Sequence, residues 1–116
     1  MRLVDLNPRW MVDDATGRSG LGIEFDCPGE CCSRAARKAQ FAVPFMNPLD
    51  GGESFSLRPE LGPFRWPRDG DTFETLTLIS DVDGSLNGHW RGFVRDGKVS
   101  RHIPIADHAA GGDDAR

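Results

Sequence analysis

The chain predicts a mainly β fold: one small antiparallel β domain, either a sandwich or an open barrel-like sheet, with a long Pro/Gly-rich loop and little helix. Three observations carry this expectation. Short segments alternate apolar and polar residues with the period of half-buried strands, most clearly Glu-Thr-Leu-Thr-Leu-Ile at 74–79. An Asp96-Gly97 pair separates two extended segments, which is the signature of a tight hairpin. Helix-forming residues gather only once, in Ser-Arg-Ala-Ala-Arg-Lys-Ala at 33–39, and so short a piece is marginal without packing.

Taken in order, Gly-Ile-Glu-Phe-Asp at 22–26 alternates as a strand should. Residues 33–39 offer Ser33 as an N-cap for a helical turn, or they begin the next strand. Gln-Phe-Ala-Val-Pro-Phe at 40–45 is β-prone but carries Pro44, which suits an edge strand or a strand end. Residues 46–72 then hold Pro48, Pro59, Pro63 and Pro67 with Gly51, Gly52, Gly62 and Gly70. A structureless loop of that length is uncommon in a compact domain, so a short strand is expected over residues 54–57, with Phe64 and Trp66 pinning the rest. Strand 74–79 places Leu76 and Leu78 on one face and threonines on the other. Residues 90–94 and 98–103 flank the hairpin turn. The apolar pattern fades from Pro104, so residues 1–103 read as the β-rich domain and 104–116 as a frayed tail.

A chain of 116 residues supports one core. Its charged residues make up 28% and no apolar run approaches the roughly 18 residues of a membrane-spanning helix, so no membrane role is expected. The net charge is −4, and the one basic cluster, Arg34, Arg37 and Lys38, is too small for generic nucleic-acid binding. Asp5 interrupts the apolar character of the N-terminus, which is therefore not a signal peptide, and a cytoplasmic location is the default expectation.

Cys27-Pro28-Gly29-Glu30-Cys31-Cys32 carries the chemistry. An odd cysteine count without an export signal argues against a disulfide framework, and adjacent cysteines rarely bridge because the peptide between them is strained. Cys27 stands in C-x3-C spacing with Cys31 and C-x4-C spacing with Cys32, both suitable for zinc, and Pro28-Gly29 bends the chain so that thiolates converge. Tetrahedral zinc then takes further ligands from His89, His102 or His108. His89 and His102 lie on the two arms of one hairpin, although they are not symmetric about its Asp96-Gly97 turn. The alternatives are ordinary buried thiols, or a reactive cysteine with His89 as its base.

Two other clusters are weaker. Asp81-Val82-Asp83-Gly84-Ser85-Leu86-Asn87 resembles a calcium loop but lacks its closing bidentate Glu, and reads better as a polar turn. Asp69, Asp71 and Glu74 are close enough to act as acid and base, yet Asp69-Gly70-Asp71 reads as a turn. Phe64-Arg65-Trp66-Pro67-Arg68, together with Phe55, offers a partner-binding surface built on Phe55, Arg65, Trp66 and Arg68, since Trp and Arg dominate interface hot spots. Packed under the loop, the same residues only fasten it.

Several phrases occur together: Phe25-Asp26-Cys27-Pro28, the run Val-Pro-Phe-Met-Asn-Pro-Leu-Asp-Gly at 43–51, Gly-Asp-Thr-Phe-Glu-Thr-Leu-Thr-Leu at 70–78, and His89-Trp90-Arg91-Gly92-Phe93 before Asp96-Gly97. As an ordered set over residues 6–99 they resemble a family of small bacteriophage and prophage proteins catalogued as a domain of unknown function. Some of its members are mislabelled ammonia monooxygenase, an activity that the size and composition here do not support. The family pattern has a Cys-Pro-x-Cys turn and a Trp-His-Gly-Phe strand. The resemblance thus implies a Cys/His metal site from Cys27, one of Cys31 or Cys32, and the strand at 89–93. This chain departs twice: its cysteine turn is longer, and Arg91 stands where the histidine is expected. His89, His102 or a water would then complete the site.

The leading functional expectation is a small zinc-binding interaction protein of phage type that binds a host bacterial protein, with inhibition of a host defence such as CRISPR-Cas as its sharpest form. Zinc would staple a small β domain whose core is marginal. The competing expectations are a small metal-dependent hydrolase, with Asp71, Glu74 or Asp81 as base, and a metal-free structural or virion-associated domain.

Overall fold

The structure is a computed structural model that describes residues 1–32, 34, 38–54, 65–84 and 88–103. Among these residues the chain is mainly β, with four small open antiparallel sheets, two short 3-10 turns and no α-helix. The sheet that organises the rest has three strands in the order β1 (Arg9–Asp13), β2 (Arg18–Asp26) and β3 (Gln40–Pro44). β3 lies at one side of this sheet, as Pro44 predicts. β1 escaped the sequence reading. It is joined to β2 by a turn in which the Asp13 carboxylate accepts from the Ala15 N–H and the Thr16 hydroxyl, and Gly17 takes φ +74°.

Past the end of β3 one isolated parallel bridge follows. Phe45 pairs with Trp66, whose N–H donates to Pro44 O and whose carbonyl accepts from the Met46 N–H. Next come β4 (Arg68–Asp69) and β5 (Thr77–Leu78), paired Arg68 to Leu78. β5 is shorter than the six-residue alternation predicts. The Thr75 N–H donates to Thr72 O at 3.2 Å and the two threonine hydroxyls bond at 2.7 Å, which closes a turn over residues 72–75 before the chain extends. Leu76 and Leu78 are nonetheless both buried.

β6 (Val82–Asp83) pairs with β7 (Arg91–Gly92), and β8 (Val94–Arg95) with β9 (Lys98–Val99). Asp96 and Gly97 take φ +50° and +72°, the conformation a two-residue hairpin turn requires. The hairpin is regular only near its tip, because beyond it Ser100 Oγ and His102 Nδ1 accept the Phe93 and Arg91 N–H groups in place of backbone carbonyls.

The core is continuous, from Leu3 and Leu6 in the first 3-10 turn (Leu3–Leu6) through Ile23, Phe25, Val43, Phe45, Leu76, Leu78 and Trp90 to Val94 and Val99. Trp10 stacks on Phe73 at one end, while Phe25, Phe41 and Trp90 pack against one another at the other. The long loop is tied back by Arg18, which makes two bonds to the Asp50 carboxylate at 2.7 and 3.0 Å, and by the Leu49 N–H on Gly20 O. The expected strand at 54–57, Phe55 and Phe64, most of the 33–39 piece, and the 104–116 tail lie outside the described residues.

Candidate metal centre

The cysteines stand where β2 runs out. Cys27 closes the strand with its N–H on Ala39 O at 2.7 Å, and Pro28 ends the pairing. The chain then winds into a second 3-10 turn, Glu30–Cys32, closed by the Cys32 N–H on Gly29 O at 3.1 Å. Gly29 keeps the space between the two sides of the site open. A Cβ there would sit 3.2 Å from Cys31 Sγ and 3.3 Å from Trp90 Cβ, between the two sides of the site. The Gly29 N–H also reaches Cys27 Sγ at 3.4 Å. Lys38 donates to Cys32 O at 2.7 Å and holds the far end of the turn.

The fourth group arrives from the other half of the chain. Gly84 N–H donates to Trp90 O and His89 N–H to Gly84 O, both at 3.0 Å, and Gly88 takes φ +75°. Trp90, buried among Phe25 and Phe41, fixes the loop against the core and brings His89 over the cysteine turn.

Cys27, Cys31, Cys32 and His89 thereby form one cluster, with all four ligand atoms within 4.8 Å of one another. Cys31 Sγ lies 3.7 Å from Cys27 Sγ and 3.8 Å from Cys32 Sγ. His89 Nδ1 lies 3.4 Å from Cys31 Sγ and 3.7 Å from Cys32 Sγ. A tetrahedral zinc with Zn–S of about 2.3 Å and Zn–N of about 2.0–2.1 Å has S···S edges of about 3.8 Å and S···N edges of about 3.6 Å. The four distances match those edges within about 0.2 Å, so the donor set fits zinc in both chemistry and shape.

The electrostatics agree. The Cys31 residue is exposed, but its sulfur turns in towards the cluster. Desolvation there, followed by the bonds to Cys27 and Cys32, pushes its thiol up to about 11. Cys32 is held below the ordinary thiol value, first by a backbone hydrogen bond from Ala39. Three thiols this close resist joint ionisation, and a divalent cation among them removes that resistance.

The sequence left Cys31 and Cys32 as alternatives, and the structure brings both to the cluster, because the 3-10 turn lets adjacent residues face one point. His102 stands apart from the four. Its Nδ1 accepts the Arg91 N–H at 3.1 Å, so it serves the hairpin backbone. His108 lies outside the described residues. Arg91 is buried and pairs with Asp81 at 3.1 Å and Asp83 at 3.7 Å, which gives the calcium-like stretch an ionic role within the fold. The sequence reading gave Pro28-Gly29 the bend that converges the thiolates and gave Gly88 no role; the signal for Gly88 was a glycine directly before a ligand.

A cleft of about 620 Å³ opens beside the cluster, with Cys31, His89, Trp90, Ser100, Arg101 and His102 in its walls. Of the expected partner-binding residues, Arg65, Trp66 and Arg68 are half-buried, and Phe55 lies outside the described residues. Trp66 packs on the core and donates through Nε1 to Asp81 O at 3.0 Å; Arg68 lies over the Phe45 ring, 5.4 Å from its centre. No family model, curated protein or solved structure matches the chain.

Proposed function

We propose that the chain is a zinc-stapled interaction domain, in which Cys27, Cys31, Cys32 and His89 hold one zinc and the biological work is binding to a protein partner. The observation that supports it best is the closure of the cluster. Four protein donors, with four of their six separations at tetrahedral length, would fill the coordination sphere and leave no position for water, which is the pattern of structural rather than catalytic zinc. Short two-stranded sheets and a core of modest size are what such a staple compensates.

The partner class rests on the resemblance to phage proteins: a host bacterial protein met in the host cytoplasm, with a defence system such as CRISPR-Cas as the sharpest case. The contact surface would centre on Arg65, Trp66 and Arg68. Beside them stand two exposed apolar side chains, Met46 at 57% and Ile79 at 58%, whose backbone N–H groups bond Trp66 O and Pro67 O.

Metal analysis of the untagged protein, wild type beside Cys27→Ser, tests the staple. One zinc per chain, lost together with the fold in the variant, is expected; a folded chain without metal would contradict it. Pull-down from a host lysate with wild type and with Ile79→Asp tests the partner. Capture weakened by the substitution is expected, and a zinc-loaded chain that retains no host protein contradicts it.

A metal-dependent hydrolase is favoured by one observation, the cleft that reaches Cys31 and His89. It would need one of the four ligands displaced by water. Of the expected bases, Asp81 is engaged by Arg91, and neither Asp71 nor Glu74 borders the cleft.

A further inference from the structure

We infer that Cys31 is an oxidation site, at which a hydroperoxide opens the metal centre by driving a Cys27–Cys31 disulfide. The inference rests on the zinc reading above and adds a reaction to it. The three sulfurs are unequal. Cys27 and Cys32 are 3% and 4% exposed, whereas Cys31 is exposed and forms part of the cleft wall. A small oxidant entering the cleft therefore meets Cys31 first, and susceptibility follows access as well as thiolate character.

The geometry also selects the resolving group. Cys27 Sγ is 3.7 Å from Cys31 Sγ, and three residues separate the two in sequence. Cys32 Sγ is as close, at 3.8 Å, but it is the adjacent residue, and a bridge between neighbours strains the peptide.

In the first step the Cys31 thiolate attacks one oxygen of the hydroperoxide. The O–O bond breaks, the departing oxygen takes a proton to leave as water (or as the alcohol), and Cys31 becomes a sulfenic acid. In the second step the Cys27 thiolate attacks the Cys31 sulfur, the S–S bond forms, and hydroxide leaves and is protonated to water. Two thiolates give up two electrons and the peroxide takes them. The zinc, deprived of two of its four ligands, is released.

The test uses the full zinc-loaded chain, hydrogen peroxide, a chromophoric zinc chelator and peptide mapping. Cleavage after Glu24 and Glu30 puts Cys27 and Cys31 on separate peptides, which only a disulfide can join. One zinc released for each disulfide formed is expected, with the peptides joined at Cys31 by fragmentation between Cys31 and Cys32. Zinc retained under peroxide, a link through Cys32, or peptides left unjoined while zinc departs would each overturn the inference. The zinc count before peroxide tests the metal reading separately. A chain that carries none contradicts that reading, and mapping of the reduced chain then still decides whether Cys31 and Cys27 pair.

Discussion

The two ends of the domain are fastened by different chemistry. At the hairpin end the backbone does the holding: Gly97 N–H donates to Leu76 O, Leu3 N–H to Gly97 O, and Val99 N–H to Met1 O, over a floor of Leu3, Leu76 and Val94. At the cysteine end, β2 has run out and four side-chain atoms converge instead. Any sequence with an Asp-Gly turn and apolar alternation can build the first. The second is built from cysteine and histidine atoms, a set that could hold a metal ion. The contrast implies that the two ends answer to different agents, one to metal removal and the other to loss of packing, within one continuous core.

The largest effect should come from removing the metal. Structural zinc contributes on the order of 10 kcal/mol to folding at neutral pH. A strong chelator, or Cys32→Ser, should therefore abolish the cooperative thermal transition of the whole domain. A transition unchanged by chelation would show that packing alone carries both ends.

Leu78→Ala should cost about 2–5 kcal/mol, because Leu78 is fully buried and its removal leaves a cavity. Denaturant unfolding would measure that loss, and the folded variant should keep one zinc per chain. Loss of zinc at native conditions would mean that packing around Leu78, and not the four donors, holds the metal site together. Gly97→Ala should also destabilise: the left-handed conformation alone costs about 1–2 kcal/mol, and a Cβ there would overlap the Glu74 backbone, which must move to admit it. The same unfolding assay checks it, again with the metal in place.

These predictions follow the line between what was and was not legible in the residues. The Asp96-Gly97 turn, the 22–26 strand and the paired burial of Leu76 and Leu78 are local, fixed by φ preference and by a period of two. So is the convergence of Cys27 with its neighbours. The choice of His89 over His102 is not local. It depends on Trp90 packing against Phe25 and Phe41, and on the Arg91 N–H claiming His102 Nδ1. β1 was missed for a similar reason: Arg-Trp-Met-Val-Asp alternates weakly and becomes a strand only by pairing with β2. The shortening of the 74–79 strand rests on bonds between Thr72 and Thr75 that the alternation does not reveal.

The smallest effect belongs to the loop clamp. Hydrogen bonds from Arg18 and from the Gly52 N–H hold the Asp50 carboxyl down at about 2, against an ordinary 3.8. A depressed folded-state value means that the contribution is fully present above pH 3.8 and is lost as pH falls through about 2. Because acid also strips the zinc, the clamp is read at neutral pH, where its contribution is fully present: Asp50→Asn should lower the denaturant-unfolding midpoint slightly and leave zinc content unchanged. A curve identical to wild type would remove the clamp from the account.

The most direct test of the central claim is X-ray absorption at the zinc edge on the full-length chain. Three sulfurs at about 2.3 Å and one nitrogen at about 2.0–2.1 Å are predicted, with no further light ligand. Two sulfurs with added nitrogen or oxygen would contradict the four-residue closure and return Cys31 to solvent and the site to the hydrolase reading.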